Sequence, residues 1–397
     1  MTEPTALQRC VGEPDDFLRH AFGAEPHLHH GGPYHDLLSL ADVDTALTSG
    51  GLRRPAVRLV RDGQVIDPGS WTRRVRTGAV SVDDMVDPAR VIDHYANGAT
   101  VVLQSLQRWW PPIARFCRDL ERTLTHAVQA NAYLTGPGAV GLAPHHDTHD
   151  VFVLQLHGTK QWTVREPLVE APLRRHRSRP DPSGRQPVLL VTELQPGTCM
   201  YLPRGVIHSA ATQEGSSLHL TIGVLATTAA DVVHRIAHLA ADVPSLRRSL
   251  PPGWAADPAV TEQVVKEIMS EFAAFAGSLD ATAMSVHMAD RFVASRAPVL
   301  EGYLVDIDRS TALDDHTEVV RRDHIGLRID IVDGDVHVGL PDRTVELPGG
   351  LEPAVGRLLD GRSHAVGQLS DLLDASSRQV LVRRLVREGV LRIEHDD

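Results

Sequence analysis

The chain has 397 residues, which is enough for two or three domains that each bury an apolar core. Its formal net charge of −11 argues against a phosphate-binding footprint over the whole surface, so direct nucleic-acid binding is not expected. The sequence has no run of about 18 uncharged apolar residues, so it does not predict a membrane-spanning protein.

The N-terminal residues and the cysteines both indicate a cytoplasmic protein. Acidic side chains stand near the start of the chain, where a signal peptide needs a basic stretch followed by an apolar one. Cys10, Cys117 and Cys199 lie far apart without CxxC spacing, so neither a disulfide framework nor a zinc–cysteine site is expected. The arginine-rich stretch at 174–185 could form a local basic patch, although its Pro, Ser and Gly content favours a solvated loop.

The first third of the chain mixes helical and strand signals. The tract 26–35 contains four histidines, but it is rich in Gly and Pro, so a solvated loop is expected there rather than a metal site. The run AVRLV at 56–60 predicts a strand. Apolar residues at helical spacing then predict an amphipathic helix with a buried face formed by Ile113, Phe116, Leu120 and Leu124.

Between residues 131 and 224 the pattern changes to short runs rich in β-branched and aromatic residues, separated by Gly and Pro. Many short strands divided by turns predict a jelly roll or a barrel. The clearest predicted strands are VFVLQL at 151–156, QWTV at 161–164, VLLVTEL at 188–194, CMYL at 199–202 and LHLTIGVL at 218–225.

Two further patterns follow. From about residue 228 the apolar residues recur at helical spacing, which predicts an α-helical section. From about residue 320 the strand-like runs GLRIDIV and VHVGL precede short helical stretches and a closing strand VLRI, an order that resembles a winged helix. Ser376 or Ser377 is predicted to cap the last helix, and Gly389 is predicted to stop it.

A candidate metal site begins at His145 and Asp147. The two residues are two positions apart just before a predicted strand, so in an extended chain both side chains point to the same face. His208 lies beside another short strand, and a jelly roll could fold it back to the same cavity. Two imidazoles and one carboxylate on one face of a metal leave open positions, the arrangement of non-haem Fe(II) oxygenases.

Other histidines compete for these roles. With 22 histidines in the chain, a His-x-Asp match is expected by chance, so the pair alone is a weak signal. His146 should point away from His145, and His149 lacks the spacing to an acidic partner. His219 is the rival of His208, but the tight turn 203–205 before His208 is a better place for an inward ligand.

Lys160 follows the predicted strand at 151–156, where its long side chain can reach back into the barrel. A dicarboxylate that chelates iron through its keto-acid end needs its distant carboxylate neutralised, and a buried lysine would do this. An exposed turn lysine is the alternative. Asn131, Tyr133 and Thr135 precede the His-x-Asp pair and could donate hydrogen bonds to the same pocket, or could simply pack within a strand.

The runs that carry these residues resemble the JmjC-type ribosomal oxygenases, a cupin subgroup of protein hydroxylases. The matching stretches are NAYLT at 131–135, APHHDTHDVFVLQLHGTKQW at 143–162, YLPRGVIH at 201–208 and LHLTI at 218–222. The resemblance implies that His145, Asp147 and His208 bind Fe(II) and that Lys160 binds 2-oxoglutarate, with O2 as the other co-substrate. It also assigns the upstream Asn and Tyr of the family to Asn131 and Tyr133.

The resemblance implies an α+β protein with three parts. A double-stranded β-helix, the cupin jelly roll, would occupy residues 1–226 and carry the catalytic site. A helical dimerisation region would occupy 227–318, and a winged-helix domain would occupy 319–397. A homodimer is therefore expected. The implied reaction is hydroxylation of the β-carbon of an Arg or His side chain in a ribosomal protein or another polypeptide.

The chain also departs from the family pattern, and this leaves alternatives open. His146 stands where relatives commonly carry an aromatic or other non-His residue between the two ligands, and His149 crowds the entrance; the family's substrate-facing positions thus fall on these residues, with Arg204 as a further candidate. The alternatives are a tailoring hydroxylase of a peptide natural product or small molecule, a non-catalytic cupin that binds or regulates, and histone demethylation.

Overall fold

The computed structural model describes residues 4–49, 51–137, 139, 143–176, 185–212, 215–324 and 326–394. The chain divides into two compact units, 1–228 and 229–397. Most of the arginine-rich stretch at 174–185 lies outside the described residues. Among the described residues, no helix is both long enough and apolar enough to cross a membrane.

Five α-helices form one layer of the first unit: α1 Ala6–Val11, α2 Pro14–His20, α3 Leu40–Thr48, α4 Pro88–Ala96 and α5 Pro111–Leu124. Their starts follow helix-capping rules, since Thr5 and Ser39 form capping boxes and α2, α4 and α5 each begin with a proline. The helix predicted from apolar spacing is confirmed as α5, whose predicted apolar face is buried.

An eight-stranded antiparallel sheet packs against this helical layer. Its spatial order is β1-β11-β8-β13-β7-β6-β2-β3. The strands are β1 His27–His30, β2 Val57–Arg61, β3 Gln64–Val65, β6 Thr100–Leu103, β7 Ala127–Thr135, β8 Asp150–His157, β11 Thr198–Leu202 and β13 Ser217–Leu225. Two more strands, β4 Thr72–Thr77 and β5 Val80–Val86, form a separate hairpin.

A second antiparallel sheet of three strands has the order β10-β9-β12, formed by β10 Val188–Leu194, β9 Lys160–Arg165 and β12 Ile207–Ala211. The two sheets share a small apolar core: Val151, Val153, Met200 and Leu202 from the large sheet meet Trp162, Val164 and Leu194 from the small one. Two antiparallel sheets that face each other across side chains form the predicted jelly roll, and the predicted strands at 151–156, 161–164, 188–194, 199–202 and 218–225 are confirmed.

The expectation of a solvated loop at 26–35 is wrong for its first part. His27–His30 is strand β1, which forms the edge of the large sheet and pairs with β11 in the register His27 to Tyr201. The His27 ring also packs edge-on against Phe17 of α2, with centroids 5.5 Å apart. A partner strand far away in the sequence therefore overrides the local Gly/Pro composition.

The second unit begins with helices α6 Ala229–Ala240, α7 Pro258–Ser278, α8 Ala281–Ala294 and α9 Tyr303–Arg309. The helical section is thus confirmed. In α7 and α8 no residue is buried, and Met269 is 65% exposed. Val265 and Ile268 of α7 are also exposed among the described residues, and the dimerisation region stays a prediction.

The C-terminal part contains β14 Glu318–Arg321, β15 Arg328–Val332, β16 Asp335–Gly339, β17 Thr344–Leu347, α10 Glu352–Leu358, β18 His364–Ala365, α11 Ala375–Arg387 and β19 Leu391–Ile393. The strands form two three-stranded sheets, β18-β14-β19 and β15-β16-β17, around one apolar core. The predicted strands are confirmed, whereas the winged-helix assignment and the division at residue 318 stay predictions.

The predicted cap of the last helix is wrong by two or three positions. Asp374 is the N-cap of α11, and its carboxylate accepts hydrogen bonds from the backbone N–H and the hydroxyl of Ser377. An aspartate caps as well as a serine does, so the Asp-Ala-Ser-Ser run offers several start points. Gly389 lies at φ +74° just after the helix, as predicted for its stop.

Candidate metal and co-substrate site

A cavity of about 640 Å³, including its open mouth, lies between the two sheets of the jelly roll. Both sheets supply its walls, because alternate residues of each strand point inward. Its lining residues are Val60, Thr100, Val102, Tyr133, His145, Asp147, Val151, Val153, Lys160, Trp162, His208, Ser209, Ala210, His219 and Thr221.

His145, Asp147 and His208 meet in this cavity. One ligand atom from each residue can be chosen so that all three atoms lie within 4.8 Å of one another. The Nε2 atom of His208 is 3.8 Å from Oδ2 of Asp147, and the two imidazole centroids are 4.5 Å apart. Within the described ranges this is the one cluster of His, Cys, Asp and Glu side chains that could hold a metal ion.

The backbone fixes the spacing of the two histidines. His145 and His208 form an antiparallel bridge in which each N–H donates to the other residue's carbonyl oxygen, at 3.2 and 2.8 Å. Gly205 donates its N–H to the carbonyl oxygen of Asp147 at 2.9 Å. Gly205 lies at φ +91°, and a side chain there would collide with the carbonyl oxygen of Val169, so the tight turn before His208 requires glycine.

Both histidines present the same ring nitrogen to the cavity. Nδ1 of His145 lies 2.8 Å from the carbonyl oxygen of Ala143, and Nδ1 of His208 lies 3.1 Å from that of Val206. A carbonyl oxygen can only accept, so each Nδ1 carries the proton and each Nε2 keeps its lone pair. Burial, together with nearby His145, lowers the pKa of His208 to about 4, so this ring is neutral at pH 7.

Asp147 remains ionised although it is enclosed. Burial by itself would raise the pKa of its carboxyl group, but His208, His149 and His145 around it outweigh that effect and the pKa is lowered. The site therefore offers two imidazoles and one ionised carboxylate, the donor set that divalent transition metals accept.

Lys160 is the first residue of β9, and strand alternation turns it inward with Trp162 and Val164. It is only 3% exposed, and its ammonium group donates a hydrogen bond of 3.1 Å to the hydroxyl of Thr135, which also lies 3.1 Å from that of Thr100. Burial lowers the pKa of Lys160 to about 8. In the part of the chain that the structure describes, no carboxylate forms an ion pair with this lysine.

His219 lies on β13 and lines the same cavity as Lys160 and His208. Its ring stacks on Tyr133 with a centroid separation of 4.9 Å and an interplanar angle of 2°, and its buried Nδ1 has no hydrogen-bond partner. Burial, with smaller effects of Lys160 and His208, lowers the pKa of His219 well below its ordinary value. His219 thus lines the cavity as a neutral ring but does not join the three-residue cluster.

The other predicted co-substrate residues occupy different positions. Tyr133 lines the cavity, whereas Thr135 lies just behind the wall as the hydrogen-bond acceptor of Lys160. Asn131 is absent from the lining; its side-chain oxygen accepts a hydrogen bond of 3.0 Å from the backbone of Ser105. Ser105 has a left-handed backbone at φ +56°, so Asn131 holds a strained turn, and its contact with a co-substrate stays a prediction.

None of the three predicted substrate-facing residues lines the cavity. His146 is buried, with Nε2 3.0 Å from the carbonyl oxygen of His176, so it points away from His145 as expected. Arg204 donates its backbone N–H to the carboxylate of Asp150. His149 packs over Gly223 of β13, and its role toward substrate stays a prediction.

Several cavity residues were not identified from the sequence, namely Val60, Thr100, Val102, Trp162 and Thr221. Strand alternation would have selected Trp162, which is two residues beyond Lys160, and Thr221, which is two residues beyond His219. Thr100 and Val102 lie on β6, whose neighbours in the sheet no local pattern reveals.

The donor set and the buried lysine together fit a divalent metal with a bound dicarboxylate. The three ligand atoms converge, and Lys160, which forms no ion pair with any described residue, lines the same cavity. A buried cation without an anion is costly, and a carboxylate delivered by a ligand would compensate it.

Comparison with known proteins agrees with this arrangement. A family model described as "JmjC domain" matches residues 103–232. "Ribosomal oxygenase 1" of Gallus gallus is 34% identical over 216 residues, which are 53% of this chain and 34% of that protein. The "Bifunctional lysine-specific demethylase and histidyl-hydroxylase NO66" of Dictyostelium discoideum is 34% identical over 161 residues, 39% of this chain and 31% of that protein. The chain therefore spans about a third of the length of these curated relatives.

The fold has a match along almost its whole length. The crystal structure of the Escherichia coli ribosomal oxygenase YcfD covers 96% of this chain and 98% of that one, with a TM-score of 0.54 and 20% identity. Another structure of that protein, in complex with cobalt and 2-oxoglutarate, has a TM-score of 0.52 and 18% identity. At this identity the likeness concerns the fold. Residues 103–232 thus match a JmjC domain, and the chain has the fold of this ribosomal oxygenase.

Proposed function

We propose that this protein is an Fe(II)- and 2-oxoglutarate-dependent oxygenase that hydroxylates a side chain of a polypeptide. The observation that carries the proposal is the pairing, in one cavity, of a His–Asp–His cluster with a buried lysine that has no anionic partner among the described residues. A cavity used only for metal storage would have no need of that lysine.

His145, Asp147 and His208 would hold the iron through two Nε2 atoms and one carboxylate oxygen. Bound there with 2-oxoglutarate and O2, the iron would supply the oxidising chemistry that inserts oxygen into a carbon–hydrogen bond. The Nδ1 hydrogen bonds to the carbonyls of Ala143 and Val206 orient both rings before any ligand binds.

Lys160 would bind the carboxylate of 2-oxoglutarate that is distant from the metal. Thr135 holds the ammonium group in place, and Thr100 holds Thr135 in turn, so the cation is oriented by a chain of two hydroxyls. A carboxylate ligand would also raise the pKa of Lys160 from about 8, because an anion favours the charged amine.

The apolar walls would keep water from the reacting centre. Val151, Val153 and Trp162 face the cavity from both sheets, and each is at most 5% exposed. A dry cavity strengthens the attraction between Lys160 and a carboxylate, and it holds the target carbon in place for reaction.

The finer substrate assignment rests on the relatives. This chain is similar to proteins named ribosomal oxygenases, so the proposed target is a ribosomal protein. The proposed site of hydroxylation is the β-carbon of an Arg or His side chain. A homodimer through residues 227–318 is part of the proposal, supported by the exposed apolar residues of α7, such as Val265 and Met269.

The test is succinate formation from 2-oxoglutarate by anaerobically Fe(II)-loaded protein after admission of oxygen. His145→Ala and Lys160→Ala should each abolish turnover. The matched controls are His157→Ala, at the exposed end of β8, and Lys266→Ala, on the surface of α7, which should both retain it. A search of ribosomal proteins for a gain of one oxygen atom would follow.

A protein that binds iron stoichiometrically yet forms no succinate would overturn the oxygenase and leave a binding or regulatory cupin. Turnover stimulated by a peptide precursor or a small molecule, and by no ribosomal protein, would leave the oxygenase standing and replace its substrate.

A further inference from the structure

Arg58 lies on the cavity face of strand β2. Its neighbours Val57 and Leu59 are buried in the core beneath the helices, so alternation turns Arg58 and Val60 to the other face, where Val60 lines the cavity. In the sheet register Arg58 stands opposite Val102 of β6, which stands opposite Tyr133 of β7.

The guanidinium of Arg58 has no anionic partner in the described part of the chain. Its Nε atom is buried without a hydrogen bond, and no carboxylate of the described ranges forms an ion pair with it. Its side chain lies close enough to the phenol of Tyr133, a residue of the cavity wall, for the two groups to interact. Unlike Arg61 on the same strand, which contacts His94, Arg58 directs its charge to the wall formed with Tyr133.

The charges of the site do not account for this arginine. With Fe(II) and a doubly charged 2-oxoglutarate bound, Asp147 and Lys160 bring the sum of formal charges to zero, and Arg58 adds one positive charge. Arg58 does not itself line the cavity, but a further group that enters beside Tyr133 lies in the field of this cation, which has no carboxylate partner among the described residues. Such a cation attracts carboxylates and neutral hydrogen-bond acceptors and repels a second cation at close range.

We propose that Arg58, beside Tyr133, is a specificity-determining residue that admits neutral or anionic side chains to the cavity and excludes cationic ones. This inference rests on the proposed function and deepens it: of the two residue types implied for the target, a neutral histidine is accepted and arginine is rejected. Specificity then comes from a repulsive element as well as an attractive one.

The test uses three small side-chain analogues as probes: propionamide, propionate and N-methylguanidinium. Each is titrated into Mn(II)-loaded protein saturated with 2-oxoglutarate, and the paramagnetic relaxation of its methyl protons reports how closely it approaches the metal. The native protein should relax propionamide and propionate about tenfold more than N-methylguanidinium. The readout needs no turnover.

Three variants distinguish an effect of the charge of Arg58 from an effect of altered structure. Arg58→Met should remove the discrimination and Arg58→Lys should restore it. Arg61→Met, which deletes a guanidinium from the same strand but outside the cavity, should leave it unchanged. Equal relaxation of the three probes by the native protein, including no relaxation of any, overturns the inference, and so does a preference that survives in Arg58→Met.

An activity arm distinguishes failure of the inference from failure of the proposed function. Oxygen found on an arginine or lysine of a ribosomal protein treated with the native enzyme contradicts the inference and leaves the oxygenase intact. Absence of succinate formation contradicts the oxygenase, whereas the relaxation measurement still decides whether Arg58 selects by charge.

Discussion

The two faces of the eight-stranded sheet serve different purposes although they alternate along the same strands. On β7 one face carries Val128, Ala130, Ala132 and Leu134, all buried under the helical layer. The other face carries Gln129, Asn131, Tyr133 and Thr135, which point toward the jelly-roll interior. Alternate residues of one strand therefore serve the stability of the core or the chemistry of the cavity. Substitutions one position apart should affect different properties.

The largest effect should come from the helix-facing side. Phe152 is fully buried and packs against Phe17 and Tyr201, with ring centroids at 5.9 and 5.1 Å. We expect Phe152→Ala to lower the free energy of unfolding by about 3–5 kcal/mol, because it leaves a cavity in that core. Thr221→Val on the cavity face, where the side chain is only half-buried, should change it by less than about 1 kcal/mol. Denaturant unfolding compares them, and equal losses would contradict the division.

Unlike Phe152→Ala, Lys160→Met should raise the free energy of unfolding, because the cavity face is suited to binding a ligand rather than to stabilising the fold. The pKa of Lys160 is about 8 in the folded chain, below the ordinary value of about 10.4. The unfolded chain therefore binds the proton more tightly, and native stability should rise as pH increases from about 8 to about 10.5. We expect the stability of native protein relative to Lys160→Met to rise by about 2–3 kcal/mol over that window.

The measurement is the free energy of unfolding of both proteins across pH, because their difference removes the titration of tyrosines and cysteines. Saturating 2-oxoglutarate should abolish the difference in slope by keeping Lys160 charged. A pH-independent difference without ligand would mean that Lys160 is solvated rather than buried.

Gly223 lies at a point on the cavity face that has no room for a side chain. A β-carbon at this position would lie 2.5 Å from the ring of His149, so Gly223→Ala should displace that imidazole and cost about 1–3 kcal/mol. In a His149→Ala background the same substitution should cost almost nothing. A double-mutant cycle measured by denaturant unfolding gives the coupling, and strictly additive costs would show that the two residues do not clash.

The smallest effect should come from Thr135→Val. This change keeps the shape of the side chain but removes the acceptor of the Lys160 hydrogen bond and the contact with Thr100. We expect 2-oxoglutarate to bind more weakly by about 1 kcal/mol, roughly a fivefold rise in its dissociation constant. Calorimetric titration of 2-oxoglutarate into Mn(II)-loaded protein checks this. Thr192→Val on β10, the strand that pairs with β9, is the control.

The local hydrophobic pattern predicted many of the strands, because strict alternation of residue types is a recognisable signal in the sequence. The strand predicted at 188–194 coincides with β10, and of the two alternatives for Lys160, a side chain that reaches into the barrel and an exposed turn lysine, the structure has the buried one. What escaped prediction depends on partners distant in sequence. Strand β1 exists because β11 lies beside it, and Arg58 was recognised as part of a strand without any sign of the face it occupies. The two-residue period sorts side chains into two sets, and only the tertiary fold decides which set faces the cavity.

The backbone bridge between His145 and His208 has a consequence for how metal enters and leaves. Because paired N–H and C=O groups join the two residues, folding of the polypeptide brings the imidazoles together before any ion arrives. The chelate is thus preorganised, and little chain entropy is lost when the ion binds. An ion lost through oxidation could then be replaced in the folded protein, and competition among divalent metals would be decided by cellular supply rather than by refolding.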